Sequence, residues 1–399
     1  MLNQISNTKQ IRTARRSHIY NYYAGFTDEF CKSLIDYIGI DPSETVIDPW
    51  NGSGTTTTCC AINNIKSTGI DINPFMAIVA RLRATQDCEL LSQIQTIERA
   101  LSKFALHSGP VDPQQISLEF YIFATDENNE DGSIFSDVLK FLLGCVCREA
   151  SARARSQNPT WYSLKMIEGI KIDSEAFKAD LSNQLQQVRR WLAGRPSSSN
   201  IIATPILVSE DFGTWSCPPT KYDHVITSPP YLTRIDYVQK TLPELLFLKR
   251  CMDIDLVKIR RQMLGSVLTE RISDGNELIS SPTALRALEK IKSHHSKASA
   301  TYYFRFYGAY IRGLQSSIAK ISRITRSGGT CTLVTQGSFY KDIFVDLPII
   351  VDELIEFYGY YGITKSAFDA KYSMVSVNVR SYASTQNSPQ EIVSVYRKI

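Results

Sequence analysis

Two short runs gather the residue types that can do chemistry together. The first is Asp48-Pro49-Trp50-Asn51-Gly52-Ser53-Gly54-Thr55, with Asp71 lying 23 residues beyond Asp48. The second is Thr227-Ser228-Pro229-Pro230-Tyr231. In the first run the glycines let the backbone turn sharply and approach a ligand without a Cβ clash. A helix opening after that turn offers unpaired N–H groups to a polar ligand. A carboxylate at the end of the next strand, Asp71, is placed to take both hydroxyls of a ribose.

The first run is not a phosphate-binding loop. No lysine follows its second glycine, and an acid, Asp48, faces the helix start. An acidic residue there suits a ligand with a cationic end. S-adenosylmethionine, with its ammonium and sulfonium, fits better than a dinucleotide. In the second run, Pro229 and Pro230 fix the backbone and remove N–H donors. The Ser228 hydroxyl and the Pro229 carbonyl are left as acceptors beside the flat ring of Tyr231. An exocyclic amine on an aromatic base is poorly nucleophilic because its lone pair is delocalised. Two acceptors on its N–H groups restore that lone pair for attack on a methyl group.

The elements that position these runs are legible as alternating strands and helices. Phe30, Leu34, Ile35 and Ile38 recur at helical spacing, and Asp41-Pro42-Ser43 ends that helix. Strand Thr45-Val46-Ile47 runs into the first constellation, and TTTTCCAINN starts a helix after it. Residues 67–72 form the next strand, followed by the helix PFMAIVARLRA. Residues 86–200 are mostly helical in pattern, with polar breaks near 107–114, 125–132 and 156–160 and a loop at 194–200. The rhythm resumes with strands at 206–209 and 224–227, the latter ending in the second constellation. Residues 232–300 are again helical and charged. A helix over 302–325 is expected to stop at Ser327-Gly328-Gly329, with a strand at 330–335, a helix at 346–359 and two or three terminal strands. The alternation predicts a mainly parallel sheet covered on both faces, which binds ligands at the carboxyl ends of its strands.

DPWNGSGTT, GIDINPF and TSPPY resemble motifs I, II and IV of the amino-group DNA methyltransferases, and SPPY in place of DPPY is the form typical of those acting on cytosine N4. HIYNYYAGF (18–26) resembles the segment that closes over the methionine end of the cofactor, and Glu210-Asp211-Phe212 the acidic segment at the adenine. The resemblance implies a seven-stranded Rossmann-like α/β sheet with a terminal antiparallel hairpin and helical insertions. It implies S-adenosylmethionine held by Tyr22, Phe26, Asp48, Pro49, Asn51, Gly52, Gly54, Thr55, Asp71, Ile72, Asn73, Asp211 and Phe212. Ser228, Pro229, Pro230 and Tyr231 would act on a flipped base of double-stranded DNA. The cofactor motif precedes SPPY, the reverse of most familiar cytosine-N4 enzymes; Trp50 stands where a Phe is usual, and Gly25 where a lysine is often found.

The division that follows is a catalytic domain over 1–85 and 201–399, a helical insertion over 86–200 as candidate target-recognition region, and a second insertion over 232–300. Candidate phosphate contacts are Arg148, Arg153 and Arg155 in the first insertion and Arg234, Lys258, Arg260 and Arg261 in the second. The Arg234-Ile235-Asp236-Tyr237 run after SPPY either lines the base pocket or caps a helix.

Composition sets the outer bounds. The 399 residues suffice for two or three units of ~150. With 43% hydrophobic and 21% charged residues the chain can bury a core, so disorder as its main state is excluded. A net charge of +4 permits nucleic-acid binding without demanding it. The first eighteen residues lack the apolar core of a secretion signal, and no stretch approaches ~20 apolar residues. The nine cysteines include no CxxC pair, so no metal site is expected, only reduced thiols filling the core of a cytoplasmic, prokaryotic protein. Adenine N6, an RNA base, or a catalytically silent cofactor-binding scaffold in a defence complex are the competing readings. The resemblance leaves room for a cognate restriction endonuclease as partner.

Overall fold

The computed structural model describes residues 5–6, 8, 19–20, 25–105, 107–128, 134–153, 162–195, 200–232, 236–266, 278–369 and 390–399. Helix α1 (Asp28–Ile38) buries Phe30, Cys31, Leu34 and Ile35; the Thr27 hydroxyl accepts from the Phe30 N–H at its start. Strand β1 (Thr45–Asp48), helix α2 (Thr55–Ile62), strand β2 (Lys66–Ile70) and helix α3 (Pro74–Arg83) follow. Asn73 caps α3 by accepting from the Phe75 N–H, with Pro74 in the first turn.

A helical lobe comes next: α4 (Asp87–Lys103), α5 (Pro113–Asn128), α6 (Ile134–Arg153), α7 (Leu164–Glu168) and α8 (Ser174–Ala193). Helix α6 is its axis, packed against α3, α4, α5 and α8. The chain then returns to the sheet with β3 (Ile206–Val208) and β4 (Tyr222–Thr227). Helices α9 (Tyr237–Lys240), α10 (Leu242–Cys251), α11 (Leu256–Gln262) and α12 (Pro282–Ser293) follow, and α10 also packs on α6. A π-helical turn over Ser299–Tyr303 leads into α13 (Phe304–Ile324) and β5 (Thr325–Gln336). The last elements are β6 (Ser338–Tyr340), β7 (Ile343–Val345), α14 (Leu347–Phe357), β8 (Tyr360–Asp369) and β9 (Gln390–Lys398).

The seven-stranded sheet has the order β3-β2-β1-β4-β5-β9-β8. The first five strands are parallel, and β9 runs antiparallel between β5 and β8. This is the α/β sheet with terminal antiparallel hairpin and helical insertions that the sequence implied. Strand order reverses between β1 and β4, because β1 leads outward to β2 and β4 leads outward to β5. The loops leaving β1 and β4 therefore open a crevice side by side, the place where such sheets bind ligands. Neighbouring residues along each strand point to opposite faces. Ile47, Val225 and Leu333 pack under α12, α13 and α14 with Ile311, Leu314 and Leu354. Val46, Ile226 and Val334 face Phe30, Leu34 and Cys60 of α1 and α2.

Two expectations are corrected. Helix α13 ends at Ile324, and Ser327-Gly328-Gly329 lies inside β5 instead of capping the helix. Its pairing with β4 shifts register there, and Gly328 takes φ 77°. A Cβ on Gly329 would lie 2.5 Å from the Asp223 carbonyl, so these glycines serve a bulge and a close approach of two strands. The hairpin β6–β7 was not foreseen as a separate two-stranded sheet. Six of the nine cysteines are buried, and Cys217 is exposed in the loop before β4. Among the described residues, no helix is long and apolar enough to cross a membrane.

Candidate active site

The turn after β1 is built by close approach. Gly54 takes φ 83°, and a Cβ there would meet the Ala80 Cβ at 2.6 Å, so α2 starts hard against α3. Asn51 donates its N–H to the Ile70 carbonyl at 2.9 Å and accepts the Gly54 N–H at 2.8 Å. Its side chain packs over Gly69, where a Cβ would lie 2.4 Å from Nδ2. From behind, the buried Arg83 guanidinium donates to the Ser53 carbonyl and the Thr55 hydroxyl, both at 3.1 Å, and pairs with Asp28 at 2.5 Å. Sequence reasoning missed Arg83, which reads simply as the end of an amphipathic helix.

Asp48 closes β1 and is buried. Its Oδ1 accepts from the Thr227 hydroxyl at 2.5 Å and the Trp50 N–H at 3.1 Å; its Oδ2 accepts from the Thr56 hydroxyl at 2.6 Å. The bond from Thr227 joins the two constellations directly. Burial pushes the Asp48 carboxyl up to about 6, against the pull of these three donors. Asp71 bridges its neighbours: the Gly52 N–H and the Asn73 N–H each donate to one oxygen at 2.8 Å. Burial also raises this carboxyl to about 6. Each carboxylate oxygen offers about two acceptor positions, so both acids keep capacity for a ligand.

At the end of β4, the Ser228 hydroxyl donates to the Val334 carbonyl of β5 at 3.0 Å. Its proton is thereby used within the protein, and toward a ligand it can only accept. The Tyr310 hydroxyl holds the Pro230 carbonyl at 2.6 Å. The Tyr231 hydroxyl donates to Glu391 Oε1 of β9 at 2.8 Å, which fixes the plane of its ring. The Asp211 carboxylate accepts from the Thr214 N–H at 3.0 Å, and its pKa is raised by burial. Phe212 stacks with Trp215 at 6.3 Å and meets the edge of Trp50 at 6.0 Å.

The two constellations, with Asp211 and Phe212, surround one cleft that is partly open to solvent. Asp48, Pro49, Asn51, Gly52 and Thr55 form one wall; Asp71, Ile72, Asn73, Asp211 and Phe212 form the next. Ser228, Pro229, Pro230 and Tyr231 form the third, and Phe26 with Gly25 closes the side. Gly54 shapes the turn from behind that lining. Tyr237, Val238, Met263 and Leu264, from the second insertion, complete the cleft. Only Tyr237 of these was singled out in the sequence; the apolar Val238, Met263 and Leu264 carry no signal that separates a pocket wall from a core. Tyr22 lies outside the described residues.

The basic residues expected at DNA divide differently. Arg148 is a correction: its guanidinium pairs with the fully buried Glu244, and donates to the Tyr20 hydroxyl and, at 2.7 Å, to the Lys240 carbonyl. It stitches α6 to α10 and to the segment before α1, so its charge is compensated inside the protein. Arg260 pairs with the buried Asp236 at 2.6 Å, a second internal use. Arg153 pairs with Asp180 and is half exposed. Lys258 and Arg261 are exposed on α11, just before Met263 and Leu264 of the cleft. Arg155 and Arg234 lie outside the described residues.

No family model matches the chain. Type II methyltransferase M.AvaI of Nostoc sp. strain PCC 7120 is 22% identical over 392 residues, covering 86% of this chain and 78% of its own. Type II methyltransferase M.BsoBI of Geobacillus stearothermophilus is 26% identical over 279 residues, covering 60% of this chain and 53% of its own. Over most of its length the chain is similar to these Type II methyltransferases. An rRNA methyltransferase, aviRa of Streptomyces viridochromogenes, aligns over 96% of this chain and 89% of its own at TM-score 0.30 and 8% identity, too loose an overlap to carry an argument. The methyl donor of such an enzyme is S-adenosylmethionine. The cleft fits that donor by its chemistry: two acids, the buried Asp48 and the half-buried Asp71, suit cationic and diol groups, and an aromatic wall of Trp50 and Phe212 suits a flat base.

Proposed function

We propose that this chain is a methyltransferase that modifies the exocyclic N4 amine of cytosine in duplex DNA, at a specific site. The observation that carries the reading is the bond from the Ser228 hydroxyl to the Val334 carbonyl. It turns a neutral hydroxyl into an oriented acceptor beside a ring held by Glu391. The resemblance of SPPY to the cytosine-N4 form supports the choice of base.

In this reading Asp48, with the turn from Asn51 to Gly54 and with Phe26, holds the methionine moiety. Asp71, with Ile72 and Asn73, holds the ribose, and Asp211 with Phe212 the adenine. Bound there, S-adenosylmethionine supplies the methyl group. Tyr231 stacks on the flipped base, whose extrusion costs a few kcal/mol. Ser228 and the Pro229 carbonyl accept its amine N–H bonds, which localises the nitrogen lone pair toward the donor. The remaining help is positioning: the base and the donor are held in line across one cleft. Lys258 and Arg261 on α11 approach the DNA backbone at the mouth of the cleft.

The test is incubation with mixed-sequence duplex DNA and labelled S-adenosylmethionine, followed by nucleoside analysis by mass spectrometry. N4-methylcytosine is the expected product. N6-methyladenine would move the assignment to the other amino base while keeping the mechanism. Label in RNA but not in DNA would overturn the substrate.

A further inference from the structure

Lys320 sits on the inner face of α13 among Ser317, Ile318, Ile321 and Ile324, where the helical pattern calls for an apolar residue. It is only 8% exposed. Removing an ammonium from water is costly unless it is compensated. Its Nζ is met by the carbonyls of Phe212 at 2.5 Å, Gly213 at 3.2 Å and Trp215 at 2.5 Å. Three donors meet three acceptors. The same ammonium lies 4.9 Å from the centre of the Phe212 ring and 5.7 Å from that of Trp215. Phe212 lines the cleft beside Asp211, and Trp50 braces its ring from another side.

We infer that Lys320 is the positioning residue of the adenine subsite: one buried cation gathers the carbonyls of the 212–215 turn and thereby aims Asp211 and Phe212 into the cleft. Lys320 does not touch the ligand. It acts by preorganisation, since a turn already held in its binding geometry costs less to order when the ligand arrives. The inference rests on the placement of S-adenosylmethionine with its adenine at Asp211 and Phe212.

The experiment is calorimetry with S-adenosylhomocysteine, paired with steady-state kinetics, on the wild type, Lys320→Met, Lys320→Gln and Lys320→Arg. For Lys320→Met the dissociation constant is expected to rise about tenfold, the worth of roughly one charged hydrogen bond. The KM for S-adenosylmethionine should rise in parallel, while kcat at saturation stays within about twofold. Lys320→Gln keeps two donors and should lose less; Lys320→Arg keeps the charge and should recover part of the affinity. A folded Lys320→Met with unchanged affinity overturns the inference. So does a fall in kcat at constant KM. If Lys320→Met does not fold, Lys320→Gln decides in the same way, and failure of both to fold reduces Lys320 to a folding residue and overturns it. Absence of binding by the wild type would instead defeat the cofactor placement.

Discussion

The loops at the switch point and the helical lobe use the same residue types in opposite ways. In the lobe and at its borders, charges meet their partners inside the protein: Arg148 with Glu244, Arg153 with Asp180, Arg81 with Asp137 and Arg195 with Asp87. At the switch point, the buried Asp48 and the half-buried Asp71 meet hydroxyl and N–H donors, with no cation paired to either among the described residues. Their carboxyls are pushed up to about 6 in consequence. A buried acid facing a cleft stores an unmet demand for a cation or a diol. A buried acid facing an arginine stores none. The comparison teaches that function here is carried by what the fold leaves incompletely compensated.

The largest effect should come from breaking a compensated pair. Arg148→Ala leaves Glu244 buried without its cationic partner, held only by the Tyr20 hydroxyl, and should cost about 3–5 kcal/mol in urea unfolding. Replacing both with apolar residues should restore most of that loss. An exposed DNA contact would give neither result: its removal leaves stability nearly unchanged.

Ser228→Ala sharpens the other side. Turnover should fall about 100-fold or more while S-adenosylhomocysteine binding, read by calorimetry, is retained. Retained turnover would remove Ser228 from the chemistry.

The raised acids predict a pH dependence of smaller size. Both have folded values above their unfolded values, so their neutral forms favour folding: that stability is present below pH ~4 and is lost as pH rises through about 6. A cationic ligand favours the ionised forms. Cofactor affinity should therefore rise by about tenfold per acid coupled to the ligand between pH 5 and pH 7. Asp71→Asn should flatten part of that rise, and a wild-type profile level across this window would contradict the role of both acids. The smallest effect belongs to the surface: Lys258→Ala should weaken DNA binding about equally on all sequences and lower the salt slope by about one unit.

The switch-point site was legible because its residues are constrained locally. Glycines at Gly52 and Gly54, prolines at Pro229 and Pro230 and carboxylates at strand ends announce a turn and its chemistry within a few residues. The strands themselves were visible as short apolar runs such as Thr45-Val46-Ile47. Arg148 was misread because helical periodicity shows which face a residue occupies and not which acid, 96 residues away, it meets. Arg83 and Lys320 were silent for the same reason: each acts on a turn distant in sequence. The glycines of β5 read in the sequence as a helix stop because a bulge and a cap ask for the same residue.

The central claim is that the Ser228 cleft places a methyl group on the N4 amine of cytosine. Nucleoside mass spectrometry of duplex DNA treated in parallel with wild type and Ser228→Ala tests it most directly. The account predicts N4-methylcytosine from the wild type and almost none from the variant, with cofactor binding equal in both. A methyl group on cytosine carbon 5, or no methylated nucleoside from a wild type that binds the cofactor, would contradict it.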